Sequence, residues 1–410
     1  MRRARSALFG GLALAAGIPW VFASCAATDE GNVNAVDAST ILEAAPSDAG
    51  ADVDEGGCDA ADLSCLSPPP VRCEDADFCP VPTNVTTSYA LTTVWGSSKT
   101  DVWASGSGGT VIHWDGTAWK PTPLPSDSGA PLKNTFHALR GSGPNDVWVA
   151  STTNLIFHTD GFKNGTATWV RAPNATEDYT PPGLLYAAWA TSPDDVRFVG
   201  VPANWEPPGQ YLNSNQFVKS ASDAGIAWTR LEGTATIHGI WGTSRDDLWL
   251  IADNSIYYDW YNGQWVYTDS QVGLTLHGRR SGDDFTWTAV DSRANSVFRG
   301  IWGTSANDIW IVGDSGTIRH LGESESAWSV VEAPTTETLH GVWAAAPNDA
   351  WAVGESGTIL HWDGSAWNRA VAAFPANKRN PHLYGVWGSG PDDVWIVGDG
   401  IALHFTGGAK

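Results

Sequence analysis

Residues 383–398 read LYGVWGSGPDDVWIVG, and two further copies read LHGVWAAAPNDAWAVG from Leu339 and FRGIWGTSANDIWIVG from Phe298. More divergent copies begin at Leu91, Phe136, Leu185 and Ile237, which makes seven units in all. An aspartate two residues before the second tryptophan position occurs in every unit, and successive copies of it are 41 to 61 residues apart. This period is typical of a four-stranded propeller blade with its loops.

The pattern inside a unit is that of short strands joined by tight turns. In the sixth unit an apolar run ending at Gly354 predicts a buried strand, S-G-T a turn, I-L-H-W the next strand, and Asp363-Gly364 a hairpin. No stretch keeps the apolar spacing of an amphipathic helix. The sequence therefore predicts an all-β, seven-bladed propeller over residues 81–410, with an eight-bladed or open arrangement as the alternative.

The two ends of the repeat region suggest how the ring closes. The seventh unit stops after Leu403 to Thr406 without the outer tryptophan strand of the other units. The segment from Val81 to Ala90 is expected to add that strand, which would close the ring and remove an exposed sheet edge.

Composition fits a large aromatic core and limits the partners. The chain has 24 tryptophans against one methionine, and recurrent tryptophans indicate packing before ligand binding. Residues 81–410 contain 32 acidic and 19 basic residues, a net charge of −13. Nucleic acid and anionic lipid need positive potential, so neither is expected to bind.

The amino terminus has the layout of an export signal. Arg2, Arg3 and Arg5 precede an apolar stretch that ends in Phe22-Ala23-Ser24-Cys25, which resembles a bacterial lipobox. The expected processing removes residues 1–24 and lipidates Cys25, which would hold the protein at the outer membrane or cell surface. Ordinary signal-peptidase cleavage near Ala23, giving a secreted protein, is the alternative.

Residues 25–80 are expected to form an acidic linker. Between Ala26 and Pro80 there are 13 acidic residues and one basic residue, in an alanine-, glycine- and proline-rich setting typical of a solvated tether. The remaining cysteines all lie here, and two disulfides would suit an oxidising compartment: Cys58, Cys65, Cys73 and Cys79. A zinc site is the alternative, but the close C-x₂-C pairs it needs are missing.

Two repeated polar positions are interpreted as structural. A carboxylate before a strand accepts turn amide hydrogens, and seven copies cannot all be catalytic. The repeated aspartates are Asp101, Asp146, Asp195, Asp247, Asp308, Asp349 and Asp393. A histidine in the predicted third strand recurs in five units and is spread too far around a ring to form one metal site: His113, His158, His320, His361 and His404.

Binding is expected where the repeats disagree. Arg140 and Arg197 replace a tryptophan in units two and three, and two predicted insertions, Pro202 to Ser222 and Val266 to Ser296, carry further aromatic and basic residues. Since propeller loops gather on one face, these departures define a candidate binding face: Arg140, Arg197, Trp205, Tyr211, His277, Arg279 and Arg280. A local ion pair is the alternative role for each arginine.

The unit V-W-G-S-x-x-x-D-V-W-x-V-G resembles that of secreted and lipoprotein propellers of myxobacteria. It is more distantly similar to the BNR or Asp-box propellers of sialidases and photosystem II assembly factors. An Asp-box-like stretch runs from Asp223 to Trp228, whereas the copies at Asp115 and Asp363 are one residue shorter. The resemblance covers about residues 85–410 and implies the propeller fold, but it is weak for function.

A noncatalytic scaffold of the cell envelope, binding a protein or a glycan, is the function we expect. It would be monomeric and contact the membrane only through its lipid. A sialidase-like or other glycan-active hydrolase is the alternative, although the arginine cluster and the tyrosine–glutamate pair that the sialidase resemblance would require do not map onto the chain. No calcium loop, zinc motif or phosphate loop occurs, so no metal or cofactor is expected.

Overall fold

The computed structural model describes residues 71–175, 182–203, 214–222, 225–233, 235–253, 258–261, 264–267, 272–282, 284–322, 327–376, 379–405 and 407. Cys25, Cys58, Cys65, Trp205 and Tyr211 lie outside these residues. Seven four-stranded antiparallel sheets are present in the described part. The prediction of a seven-bladed all-β propeller is confirmed.

Each blade contains four strands that run from the centre of the ring outward. Blades 1 to 3 consist of β2 (Leu91–Ser98), β3 (Asp101–Gly106), β4 (Val111–Trp114) and β5 (Trp119–Pro121); β6 (Ala138–Gly143), β7 (Asp146–Thr152), β8 (Leu155–Thr159) and β11 (Val170–Arg171); and β12 (Leu185–Ser192), β13 (Asp195–Ala203), β14 (Ser214–Ser222) and β15 (Gly225–Glu232). A short hairpin of β9 (Phe162–Lys163) and β10 (Thr166–Ala167) is inserted in blade 2.

Blades 4 to 6 follow the same order. They consist of β16 (Thr236–Ser244), β17 (Asp247–Asp253), β20 (Leu274–Ser281) and β21 (Asp284–Val290); β22 (Phe298–Ser305), β23 (Asp308–Gly313), β24 (Ile318–Leu321) and β25 (Ser329–Val331); and β26 (Leu339–Ala346), β27 (Asp349–Gly354), β28 (Ile359–Trp362) and β29 (Trp367–Arg369). A hairpin of β18 (Tyr258–Tyr261) and β19 (Gln264–Tyr267) lies between the second and third strands of blade 4.

The last blade is built from both ends of the propeller. Its inner strands are β30 (Leu383–Gly390), β31 (Asp393–Gly398) and β32 (Ile401–Phe405), and β1 (Phe78–Pro80) adds the outer strand antiparallel to β32. An amino-terminal strand therefore closes the ring as expected. It begins at Phe78, however, rather than in the predicted segment from Val81 to Ala90. Cys73 is disulfide-bonded to Cys79 within this strand.

The two predicted insertions are shorter than the sequence suggested. Much of the first is β14, the third strand of blade 3, and most of the second is β20 and β21, the outer half of blade 4. The inserted hairpin β18–β19 carries Y-Y-D-W, which mimics the third strand of the other units and hides the true one.

The W-G step of the repeat joins neighbouring blades near the channel. A Cβ added at Gly96 would lie 2.7 Å from the ring of Trp387 in the preceding blade, and one at Gly141 would lie 2.4 Å from the ring of Trp95. Gly303 and Gly388 are covered in the same way by the first-strand tryptophan of the blade before them. Glycine is needed at these steps because an indole occupies the space of the side chain.

A second set of aromatic contacts joins the blades further out. The second-strand tryptophan of one blade meets the outer-strand tryptophan of the next edge to face in five pairs, with centroid separations of 5.1 to 5.8 Å and interplanar angles of 81° to 89°. Phe78 makes the equivalent contact with Trp351 at 5.0 Å and 85°. Such T-shaped pairs contribute about 0.5–1.5 kcal/mol each beyond burial.

Candidate binding site at the mouth of the central channel

The first strands of all seven blades line a central cavity of about 220 Å³. At one end of it, each blade contributes the residue that follows the first apolar position of its unit. These seven side chains form what we call the mouth ring: Thr92, His137, Tyr186, His238, Arg299, His340 and Tyr384. The ring combines imidazoles, phenols, a guanidinium and a hydroxyl, although the same column of the repeat produces all of them.

A β-bulge explains why these side chains are directed away from the regular ladder. In blade 1, Leu91 pairs with Gly106 and Thr93 pairs with Ser105, so Thr92 is an extra residue on its strand. The same register shift occurs at Tyr186, His238, Arg299, His340 and Tyr384. A bulge re-aims one side chain while leaving the remaining pairs intact. The blades therefore tolerate any residue at this position.

Carboxylates border the mouth ring in blades 4 to 7. They follow the second strand of each blade and form what we call the acidic arc: Asp253, Asp314, Glu355 and Asp399. His238 Nε2 lies 2.6 Å from Asp253 Oδ2, and Arg299 donates two hydrogen bonds to Asp314 at 2.8 and 3.0 Å. His340 lies 3.8 Å from Glu355.

The charge of this mouth is negative on balance. Four carboxylates face one guanidinium in the ring, while Arg379 and His382 line a side cavity next to Asp399. Negative potential in a concave site attracts cationic groups and raises their local concentration. The blades 4 to 7 side of the mouth is thus suited to a basic ligand group.

Burial keeps the ring residues in hydrogen-bonding forms at neutral pH. It lowers the pKa values of His137 and His340, so these imidazoles stay neutral. Burial, reinforced by Asp399, raises the pKa of Tyr384 to about 12, and burial together with Asp253 raises the pKa of Tyr186. The phenols therefore remain protonated donors. The arrangement can recognise a ligand by hydrogen bonds and charge.

Aromatic contacts fix the ring geometry. Tyr186 stacks on His238 with centroids 5.9 Å apart and meets His137 edge to face at 5.9 Å, and His340 lies 5.2 Å from Tyr384. Ring planes held in this way lose little conformational freedom on binding. The mouth is a pre-organised surface.

The repeated aspartates lie inside the blades, away from the mouth ring. Asp101 accepts a hydrogen bond from Ser97 through one oxygen, and its other oxygen lies 2.7 Å from His113 Nε2. Equivalent imidazole–carboxylate contacts of 2.6 to 2.9 Å occur in six blades. The hydroxyl donates to the carboxylate and not to the imidazole, so this arrangement lacks the nucleophile–base contact of a hydrolytic triad.

The sequence-based candidates do not come together on one surface. Arg197 is 5% exposed and donates from Nε to Asp195 Oδ1 at 3.1 Å, between blades 3 and 4. Arg140 lines the channel on the side of the W-G steps. His277 is the third-strand histidine of blade 4, 2.6 Å from Asp247, and is therefore a sixth copy of the repeated histidine.

Arg279 and Arg280 lie at the end of blade 4 opposite the mouth. Arg279 pairs in register with Asp247 at the start of its strand, and Arg280 donates to Asp246 at 2.6 Å. The acidic arc, by contrast, follows the opposite ends of the second strands. These two arginines therefore belong to a different face from the mouth ring.

Sequence reasoning missed the mouth ring itself. The repeats were aligned on their shared residues, and the ring occupies the one column of the first strand in which a chemically active residue changes from unit to unit. The sequence T, H, Y, H, R, H, Y down that column was the available signal.

Two further features were searched for in the described residues. They contain no group of three or more histidine, cysteine, aspartate or glutamate side chains placed to hold a metal ion. None of the helices they form has the length and apolar character needed to cross a membrane.

Comparison with solved structures places the chain among β-propellers. It matches the structure described as YCF48 bound to D1 peptide with a TM-score of 0.57 and 16% identity over 82% of this chain and 96% of that one. It matches a streptogramin B lyase structure with a TM-score of 0.56 and 15% identity over 80% and 97% of the two chains. The WD40 propeller domain of Doa1 matches with a TM-score of 0.56 and 10% identity over 81% and 97%.

These likenesses show the fold alone, and they confirm the distant propeller likeness that the repeat predicted. No protein-family model matches the chain, and no curated protein matches it.

Proposed function

We propose that this chain is a noncatalytic binding propeller of the bacterial cell envelope, held at a membrane by a lipid on Cys25, and that its channel mouth takes a basic segment of a protein partner. The observation that carries the proposal is the mouth ring. Every other repeated position is explained by packing within or between blades, whereas this column differs in chemistry in most blades at a place where the bulge imposes no choice.

The charge of the mouth supports a basic partner. The acidic arc adds four carboxylates beside a ring with a single arginine, and the neutral imidazoles and phenols supply hydrogen bonds. Complementary charge speeds encounter and sets specificity. One structural neighbour is described as bound to a D1 peptide, which supports a protein as the partner class.

The test uses the mature chain immobilised and exposed to detergent-solubilised envelope of the producing bacterium. The variant carries His238→Ala and Tyr384→Ala, and the matched control carries Arg279→Ala at the other end of blade 4. We expect a protein retained by the native chain and the control, lost from the mouth variant, and released as the salt concentration rises. Retention by all three forms would remove the mouth from the proposal.

Two other outcomes would replace the proposed partner class. A glycan that is retained by the native chain and lost from the mouth variant would make this a carbohydrate-binding site. Turnover of sialosides or other glycans by the native chain would make the protein a hydrolase and overturn the noncatalytic assignment.

A further inference from the structure

The floor of the channel holds an arginine with an incomplete environment. Arg140 stands where the other blades place their first-strand tryptophan, and its guanidinium carbon lies 4.2 Å from the ring centroid of Trp189 and 5.0 Å from that of Trp302. The indoles come from blades 3 and 5, so the side chain reaches across the channel. These contacts hold the guanidinium in place.

The positive charge of Arg140 has no carboxylate partner among the described residues. No ion pair or hydrogen bond of this side chain occurs there, and its buried Nε has no acceptor. Burial lowers the pKa of Arg140 to about 9, so the side chain is still charged at neutral pH. A desolvated cation without a counter-charge is costly, and buried charges in proteins are ordinarily paired.

The walls above Arg140 are aliphatic. Val94, Leu139, Ile240, Ile301, Val342 and Val386 line the same cavity. They offer no second positive charge, so the site balances one negative charge and not two. A volume of about 220 Å³ is below that of pockets for drug-sized ligands, which begin at about 300 Å³.

We propose that the channel floor is a binding site for a small monocarboxylate, whose oxygens pair with the Arg140 guanidinium while its short apolar body lies among the aliphatic walls. A guanidinium presents its N–H donors in a planar fork that matches a carboxylate. A dianion such as sulfate finds no second cation there and meets the acidic arc on entering. The site is independent of the partner proposed for the mouth.

Blade 3 shows how the chain accommodates this arginine. Gly96, Gly141, Gly303 and Gly388 each lie under an indole of the preceding blade, whereas Ala190 follows the blade that carries Arg140. With no indole to receive, that position keeps a methyl group. The double variant Arg140→Trp/Ala190→Gly therefore rebuilds the W-G step of the other blades and removes only the guanidinium.

The experiment titrates the full chain with sodium butyrate at constant ionic strength and follows tryptophan fluorescence, since two indoles touch Arg140. We expect a saturable change in the native chain and in the control Arg279→Gln, and at least a tenfold loss of affinity in the double variant. Arg140→Lys keeps the charge without the fork and should bind about tenfold more weakly.

Three results would overturn the site. They are an absence of saturation in the native chain, equal affinity in the native chain and the double variant, and displacement of butyrate by chloride at equal concentration. Circular dichroism shows whether the double variant folds, and Arg140→Lys carries the comparison if it does not.

Discussion

Asp146 illustrates how one repeated residue organises a blade. Its Oδ1 accepts from Trp148 Nε1 at 2.8 Å and lies 2.9 Å from His158 Nε2, while its Oδ2 accepts from Ser142 at 2.6 Å. One carboxylate thus ties the bulge of the first strand to the second and third strands. These contacts outweigh the opposing effect of burial and lower the pKa of Asp146 to about 2.

The lowered pKa of Asp146 predicts a pH-dependent share of stability. Because the carboxylate is more acidic in the folded state, its contribution is present above the unfolded pKa of 3.8 and is lost as the pH falls towards 2. The shift corresponds to about 2 kcal/mol. Asp146→Asn should lower the free energy of unfolding by about that amount at pH 6 and change little at pH 2, measured by urea titration.

The control for this prediction is Asp160→Asn, at an exposed carboxylate after the third strand of the same blade. It should retain the difference between pH 6 and pH 2. Equal pH dependence in native chain and Asp146→Asn would show that this carboxylate is not the source.

Arg197 is explained at the same scale by its neighbours. It occupies a tryptophan position, and the residue opposite it in the third strand is Val218, where the other blades have histidine. Arg197 donates to Asp195 and lies 5.7 Å from the ring of Phe285 in blade 4. One arginine thus replaces the indole and the imidazole together, which a sequence comparison limited to the second strand could not reveal.

At the scale of elements, the W-G step sets how closely two first strands approach. A side chain at Gly96 would meet the carbonyl oxygen of Asp101 at 2.5 Å and the ring of Trp387 at 2.7 Å. Gly390, near the end of its strand, has no atom within 4 Å of such a side chain. The two positions test whether space or backbone freedom makes glycine necessary.

Gly96→Ala should lower the free energy of unfolding by about 1–3 kcal/mol, because the ring of Trp387 cannot move without disturbing blade 7. Gly390→Ala should leave it unchanged or raise it by less than about 1 kcal/mol. Guanidinium unfolding followed by fluorescence measures both. Equal effects of the two changes would contradict a packing role for the step.

The strands themselves could be predicted to different degrees. Units with a regular third strand, such as the sixth, were readable because apolar alternation and the Asp363 turn agree. Blade 4 was not, since the inserted hairpin from Tyr258 to Tyr267 has the same aromatic alternation and precedes the real third strand. His277 was therefore assigned to a loop, although the distance to Asp247 identifies its place in the repeat.

For the whole molecule, the closing strand decides whether the blades form a ring. Phe78 is fully buried and touches Trp351 of blade 6 and Phe405 of its own blade, with centroids 5.0 and 5.3 Å away. It supplies the outer aromatic residue that the seventh unit lacks. The sequence predicted the need for this strand, but three residues flanked by cysteine and proline carry too little alternation to locate it.

Phe78→Ala should cost about 3–5 kcal/mol, the usual range for a buried phenylalanine. Val330→Ala, at a side chain that is 63% exposed on the outer strand of blade 5, should change stability by less than about 0.5 kcal/mol. Thermal unfolding by calorimetry compares them. A small effect at Phe78 would mean that the ring is stable without its closing contact.

The proposed anchor makes a prediction about the intact protein in cells. Cys25→Ser removes the thiol that would carry the lipid, so the protein should move from the membrane fraction to the soluble envelope fraction or the medium. The propeller should keep its melting temperature, because the change lies outside the ring. An unchanged membrane fraction in the variant would argue against lipidation at this residue.

The Cys73–Cys79 bond gives the closing strand a mechanical property. Any pull on the amino-terminal segment reaches the ring through this crosslink, which joins Cys79 directly to Cys73 and leaves the four residues before Phe78 slack. Tension is thus delivered to the middle of a strand held in shear by its partner β32, and Phe78 is shielded from peeling. A tethered propeller tugged by its partner would stay closed for longer with the bond than after its reduction.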